Sequence, residues 1–435
     1  MAKLSEILAH PEEWPALFLL YMRMRRTKQL LTQTASPQWQ FSYEMLTRTS
    51  RSFALVIQEL QGDLRDAICI FYLVLRGLDT IEDDPGFPMD KKVPLLHTFS
   101  EVIEQRGWTL TDCGENDNEL TLMSNFDQII TCYLGLKPIY RNVIKDITKR
   151  MGDGMADFLT KTVVTVKDWD LYCHYVAGLV GIGLSNLFAA SQLEDQSFRT
   201  ADKLSNSMGL FLQKTNIIRD YREDIFSCRM FWPDDIWKKY TDKLENFADP
   251  HYRREAVHCL NDLVTNALQH IPECLEYMSR LRNPKDFTFC AIPQVMAAAT
   301  LSLCFNNPEV FEGVVKMRRG ETALVFLNVV DISSVYYYFD HYVQVIENKI
   351  DPSDPNAERT RQICSHVRQI TAATASKVRA KKEAESDRTH YVLGGALLLG
   401  STLFLRQRWK RERQKRTEQE EQQQKETSSP IRARL

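Results

Sequence analysis

Apolar residues recur at i, i+3, i+4 and i+7 through most of positions 40 to 345, the spacing of one helical face, and predict an all-α body. The pattern breaks at Pro85-Gly86-Phe87-Pro88, at the polar stretch from Asp112 to Glu119, and at Asn306-Asn307-Pro308, where turns are expected. Ahead of the body, Trp14 to Met22 is a short apolar run with Glu12 and Glu13 before it and Arg23, Arg25 and Arg26 after it. Those flanks are wrong for a signal peptide and predict an amphipathic surface helix. Behind the body, Asp351-Pro352-Ser353-Asp354-Pro355 is a stop signal, and a charged helix from about Ala357 to Asp387 looks too polar for a core. The expected layout is an amphipathic segment over 1–34, one all-α domain over 35–350, a charged helical linker over 351–390, an apolar segment over 391–405, and a basic, then Glu/Gln-rich tail over 406–435.

The apolar segment, YVLGGALLLGSTLFL, carries no charge and spans about 22 Å as a helix against a hydrocarbon core of ~30 Å. Three readings compete: a membrane anchor helped by snorkelling Arg388, Arg406 and Trp409, an interfacial or re-entrant segment, and a buried core helix. The last fails on its surroundings. Lys377, Arg379, Lys381 and Lys382 precede it and Arg406, Arg408, Lys410, Arg411, Arg413, Lys415 and Arg416 follow, which leaves no domain to bury it and no charge asymmetry to orient it.

Composition narrows the classes. With 44% hydrophobic and 26% charged residues the chain can bury a sizeable core. A net charge of −2 lacks the basic field of a nucleic-acid binder, so no nucleic-acid partner is expected. Seventeen glycines and 16 prolines are too few for an all-β chain. The ten cysteines form no CxxC pair and read as reduced, mostly buried thiols facing a reducing compartment.

The most informative segment is GDLRDAICIFYLVLRGLDTIEDDP, from Gly62 to Pro85, a helix with Asp63 expected as N-cap, Asp66 at the third helical position and Pro85 as its stop. Tyr72, Arg76, Asp79 and Asp83 fall at i, i+4, i+7 and i+11 on one stripe. Asp79, Glu82, Asp83 and Asp84 crowd the negative end of the helix dipole, so something positive should compensate them. One DxxxD on a helix, by itself, reads as a solvated helix end rather than a metal site. A second copy changes that: NSMGLFLQKTNIIRDYRED, from Asn206 to Asp224, sets Gln213, Asn216 (or Ile217), Asp220 and Asp224 on one face with Arg219 beside them. If the two helices face each other across a cavity, four carboxylates meet, and their repulsion is tolerable with divalent cations between them. Such oxygen ligands favour Mg²⁺, which completes its shell with water and phosphate, so a diphosphate substrate is implied.

No P-loop, GxSxG or HExxH motif occurs. Gly178, Gly181 and Gly183 suggest a dinucleotide loop only superficially, because no strand precedes them; helix contact through small residues is the better reading.

The paired aspartate helices, YCHYVAGLVGIGLS from Tyr172, LFLQKTNIIRDYRED from Leu210 and FCAIPQVM from Phe289 resemble the squalene synthases of the squalene/phytoene synthase family, over about residues 35 to 345. The resemblance implies a single-domain isoprenoid-synthase fold around a central cavity. It also implies head-to-head joining of two farnesyl diphosphates to presqualene diphosphate, then NADPH-dependent reduction to squalene. Carried over by motif, Asp79, Asp83, Asp220 and Asp224 would bind Mg²⁺ and diphosphate with Arg51, Arg76 and Arg219, and Tyr172 would take part in proton removal. Ser50, Ser52, Phe53, Tyr72, Gln213, Phe289, Cys290, Pro293 and Gln294 would line the substrate cavity, although the two serines read equally as N-caps. Asn216, Lys316 and Arg318 would lie near NADPH; the bare VKMRRG motif reads as an exposed basic turn. Ile225-Phe226-Ser227-Cys228 stands where relatives have a Gly-rich link, so a stiffer flap is expected, and Gly77 inside the first aspartate helix suggests a close approach by a neighbour. An endoplasmic-reticulum membrane protein with a cytosolic catalytic domain, working as a monomer, completes the expectation. The alternatives are a relative that stops at or diverts the cyclopropane intermediate, as in the phytoene-synthase branch, and a catalytically inactive membrane scaffold.

Overall fold

The first aspartate helix runs through the middle of the molecule because it is apolar on nearly every side: thirteen of its residues, from Leu64 to Ile81, are buried. The computed structural model describes residues 9–34, 36–50, 52–227 and 229–380, with the side chains of 28–34 and Ser52 outside the description; every regular element among the described residues is a helix. The helices that position the central cavity are α1 (Trp14–Thr34), α2 (Ser52–Gln58), α3 (Gly62–Asp83), α4 (Pro138–Phe158), α5 (Val166–Cys173), α6 (Leu179–Ser191), α7 (Asp202–Arg219), α8 (Tyr221–Phe226), α9 (Pro284–Cys304) and α10 (Arg319–Asn328). A π-helical turn, His174–Gly178, joins α5 to α6. Residues 1–375 form one compact unit and 376–435 a second, of which only 376–380 are described.

Helix α3 starts one or two residues earlier than the sequence suggests. Gln61, in extended conformation, is the N-cap, Gly62 enters at φ +51°, and Asp63 sits in the first turn, where it pairs with Lys137 at 2.5 Å. Asp66 accepts from Arg65 at 2.9 Å and from the Tyr43 hydroxyl. At the other end the compensating charge is Lys92, whose buried ammonium donates to the carbonyls of Glu82 and Asp84 at 2.7 Å each. A Cβ on Gly77 would stand 2.6 Å from the ring of Phe126, so this glycine does admit a close neighbour.

Helices α6 and α7 cross with their backbones nearly touching. A Cβ on Gly181 would overlap the Ser205 carbonyl, and one on Gly209 the Ala177 carbonyl. The small-residue run is therefore a helix crossing rather than a dinucleotide loop. The crossing is tied by Ser185, whose hydroxyl lies 2.7 Å from both Ser205 and Tyr277. Among the described residues nine cysteines are buried and unpaired.

Two layout expectations need correction. Residues 357–375 are helical and belong to the compact unit: Thr360, Cys364, Val367, Thr371 and Ala375, spaced four, three, four and four apart, are buried. Thr360 bonds Thr265 at 2.6 Å, and just ahead of the helix Asp354 accepts from Asn261 at 2.7 Å. The threonines in this stripe count as polar in a pattern yet pack as core, which is why the segment reads as a linker from sequence alone. The N-terminal segment is likewise part of the unit, with α1 packed on α10 and Arg23 paired with Glu59. The 391–405 segment lies outside the described residues.

Candidate active site

The two acidic stripes, far apart in the chain, face one cavity of about 190 Å³, lined by Asp79, Glu82 and Asp83 from α3, Gln213, Asn216 and Ile217 from α7, Asp220 and Asp224 at the α7–α8 junction, and Tyr172, Val176, Arg229 and Phe231. Asp79 and Asp224 are each pushed up to about 7. Burial is the main cause; neighbouring carboxylates add to it, while Arg76 beside Asp79 and Arg229 beside Asp224 oppose it. Burial also raises Glu82 well above the usual carboxylate range, with Asp83 and Asp79 adding to the shift. Such a set is short of positive charge, which is what a cation site looks like before its ion is counted. Among the described residues no three of these aspartates converge within 4.8 Å. The carboxylates stand around the cavity rather than forming a closed cage, the arrangement that suits Mg²⁺ completed by water and phosphate oxygens.

The arginines divide the work. Arg219 holds Asp220 in a two-pronged bond at 2.7 and 2.6 Å. Arg229 reaches across to Asp83 while its backbone N–H donates to the Asp224 carbonyl at 2.9 Å, so it bridges the two stripes. Arg76 lies 3.5 Å from the Tyr72 hydroxyl. The Nε atoms of Arg76 and Arg229 are buried without a hydrogen-bond partner, an unmet demand for an anion.

Apolar chambers adjoin the acidic cavity. One, about 180 Å³, is lined by Phe53, Phe71, Tyr72, Leu75 and Met151 and reaches Arg76 and Asp79. A second, about 210 Å³, is lined by Phe53, Met208, Phe289, Cys290, Pro293 and Gln294 and reaches Gln213 and Asn216. They share Phe53, Val176, Val180, Leu184 and Phe289 as a common wall. A third, about 140 Å³, runs from Arg219 and Asn216 past Pro293 and Met296 to Phe326 of α10. Val166–Ser191 and Pro284–Cys304 are long and apolar enough to cross a membrane, but both supply walls of these chambers. Asn216 borders the acidic cavity and two of the chambers, which places it at their junction.

Tyr172 stacks on Phe231, ring centroids 4.6 Å apart at 15°. Burial raises its phenol well above 10, with Glu82 and Asp83 adding to the shift, so it enters the site as an O–H donor. Gln294 donates to the Met208 carbonyl at 2.9 Å and fixes α9 to α7.

Other expected site residues lie elsewhere. Ser50 turns its hydroxyl onto the Leu46 carbonyl at 2.7 Å instead of capping a helix or facing the cavity. Arg51 and the Ser52 side chain fall outside the described residues. Lys316 is exposed on the irregular stretch 314–318, while Val315 and Met317 turn toward the core. Arg318 donates to the buried carboxylate of Glu13 at 2.9 and 3.2 Å. The segment expected to be stiff forms α8, ending at an exposed Phe226 with the Arg222 guanidinium 4.4 Å over its ring; Cys228 lies outside the described residues. Sequence reasoning missed Arg229, Glu82, Phe231 and Glu13 as parts of the machinery. For Arg229 a signal existed, since the crowded acids already called for a cation.

The sequence profile of squalene/phytoene synthases matches residues 46–321. The squalene synthase of Dictyostelium discoideum is 52% identical over 359 residues, 82% of this chain and 86% of that protein. That of Nicotiana benthamiana is 52% identical over 363 residues, 83% and 87% of the two chains. A solved complex of TcSQS with the ligand E5700 is 44% identical and superposes with a TM-score of 0.76 over 78% of this chain and 99% of that one. In sequence and in its all-α architecture, then, this chain belongs to the squalene/phytoene synthase family.

Proposed function

We propose that the chain joins two farnesyl diphosphates head to head into presqualene diphosphate and reduces that product with NADPH to squalene, a transferase and reductase of sterol precursor synthesis. The observation that carries this reading is the meeting of two aspartate stripes in one cavity from which two apolar chambers open. Each chamber takes a prenyl chain, and their acidic junction takes the diphosphates. Asp79, Asp83, Asp220 and Asp224 would hold Mg²⁺, which would supply positive charge to the departing diphosphate. Arg76, Arg219 and Arg229 add fixed guanidinium charge to the same oxygens, preorganised for the transition state. The C–O bond breaks with its electron pair leaving on diphosphate. Phe53, Phe289 and Tyr72 shelter the allylic cation from water. When the cyclopropane closes, the C–H bond gives its electron pair to the ring and its proton to the Tyr172 oxygen, while Tyr172 hands its own O–H proton to a diphosphate oxygen, the strong acceptor its raised pKa calls for.

NADPH, when bound, would supply the hydride of the second step. Asn216 stands at the chamber junction where the carbon skeleton would be reduced; Lys316 would offer a cation for the cofactor's 2′-phosphate, while Arg318, paired with Glu13, holds the stretch that carries it. An insoluble product argues for a membrane surface. The 391–405 segment anchors the chain to the endoplasmic reticulum with the catalytic unit in the cytosol, and the enzyme works as a monomer.

Product analysis by mass spectrometry tests the proposal: the purified full chain with farnesyl diphosphate, Mg²⁺ and NADPH should yield squalene, and presqualene diphosphate when NADPH is withheld. The same products with and without NADPH would instead mark an enzyme that diverts the intermediate. Folded protein giving no coupled product would sink the reading.

A further inference from the structure

Helix α1 carries two opposite faces. Inward, Ala16 is buried, Leu20 packs on the core, and Arg23 pairs with Glu59. Outward, Trp14, Phe18, Tyr21 and Met22, at i, i+4, i+7 and i+8, are 45, 63, 57 and 46% exposed, and Leu19 flanks them at 56%. An outward helix face ordinarily carries charge. Here it carries an apolar, aromatic stripe that ends in the exposed Arg25 and Arg26.

We propose that α1 is an interfacial helix that lies in the headgroup layer of an anionic lipid membrane, with Trp14, Phe18, Tyr21 and Met22 at the acyl boundary and Arg25 and Arg26 on headgroup phosphates. Trp and Tyr have an apolar body and a polar tip that match the two sides of that boundary, and flanking arginines favour anionic headgroups. Charge argues against another occupant. The chain's own 391–405 segment is followed by Arg406, Arg408, Lys410 and Arg411, so seating that end beside Arg25 and Arg26 opposes like charges. The placement also suits the fold: α1 packs on α10, whose Phe326 lines an apolar chamber, so docking sets that chamber's wall beside lipid. The inference rests on the stripe and not on the catalytic reading, and either can fail alone.

The test uses the full chain and vesicles of phosphatidylcholine, with and without phosphatidylserine, made with brominated acyl chains. Subtracting the tryptophan emission of Trp14→Phe from that of the unmodified chain isolates Trp14. On vesicles this component should shift to the blue and be quenched by bromine, more strongly with phosphatidylserine. Arg25→Glu with Arg26→Glu should remove the phosphatidylserine increment. A component already blue without vesicles and unquenched on them would mean that protein covers the stripe, and one that stays red and unquenched would mean a solvent-facing helix or a site for an acidic protein; either overturns the proposal. Squalene formation measured on the same samples reports separately on catalysis.

Discussion

Asp79 and Asp224 show how strongly one side chain's state depends on what surrounds it. An exposed aspartate ionises near 4, whereas both of these are pushed up to about 7, chiefly by burial. Their folded pKa lies above the unfolded one, so between about pH 4 and 7 the native chain binds more protons than the unfolded chain, and stability falls as pH rises across that window. Without Mg²⁺ the melting temperature should therefore drop between pH 5 and pH 8, and Mg²⁺ with inorganic diphosphate should reverse the drop. Asp79→Asn should shrink it and raise the metal-free melting temperature at pH 8 while abolishing turnover; scanning calorimetry and product assay check both. The candidate aspartates were legible in the sequence because two DxxxD stripes repeat with an arginine beside each. The crowded acids also called for a cation, but nothing local showed that Arg229 supplies it to Asp83, a partner 146 positions away.

At the scale of elements, the α6–α7 crossing fixes where Gln213, Asn216 and Asp220 stand. Gly181→Ala pushes a Cβ onto the Ser205 backbone carbonyl, an atom that cannot rotate aside. The expected cost is about 1–3 kcal/mol of stability in urea titration, with turnover falling as the α7 residues shift. The irregular stretch 314–318 is held differently, with Arg318 paired to the buried Glu13 at 2.9 Å and to Glu321 at 4.0 Å. Glu13→Gln should weaken that hold, raise KM for NADPH and leave NADPH-independent presqualene diphosphate formation unchanged, which steady-state kinetics of the two half-reactions resolves. Periodicity marked the helices well, since the breaks near Pro85, Asp112 and Asn306 fall between elements. It failed over 357–375, where Thr360 and Thr371 pack as core, and at the start of α3, where the cap is an extended Gln61 rather than an acid.

For the whole molecule, the compact unit reaches residue 375. A chain ending at 380 should keep its stability and turnover. One ending at 350 strips Cys364 and Val367 from the core and should lose both, as read by thermal melts and product assay. The all-α class, the two acidic stripes and the family resemblance follow from local chemistry, and the sequence alone determined them: helical period, charge and motif are written in neighbouring residues. Tertiary structure alone decided that the stripes share a cavity, that the apolar chambers have a common wall at Phe53 and Phe289, that Arg229 bridges the acids, and that Arg318 spends its charge on Glu13. Each of those joins residues distant in the chain, and only packing brings them within reach.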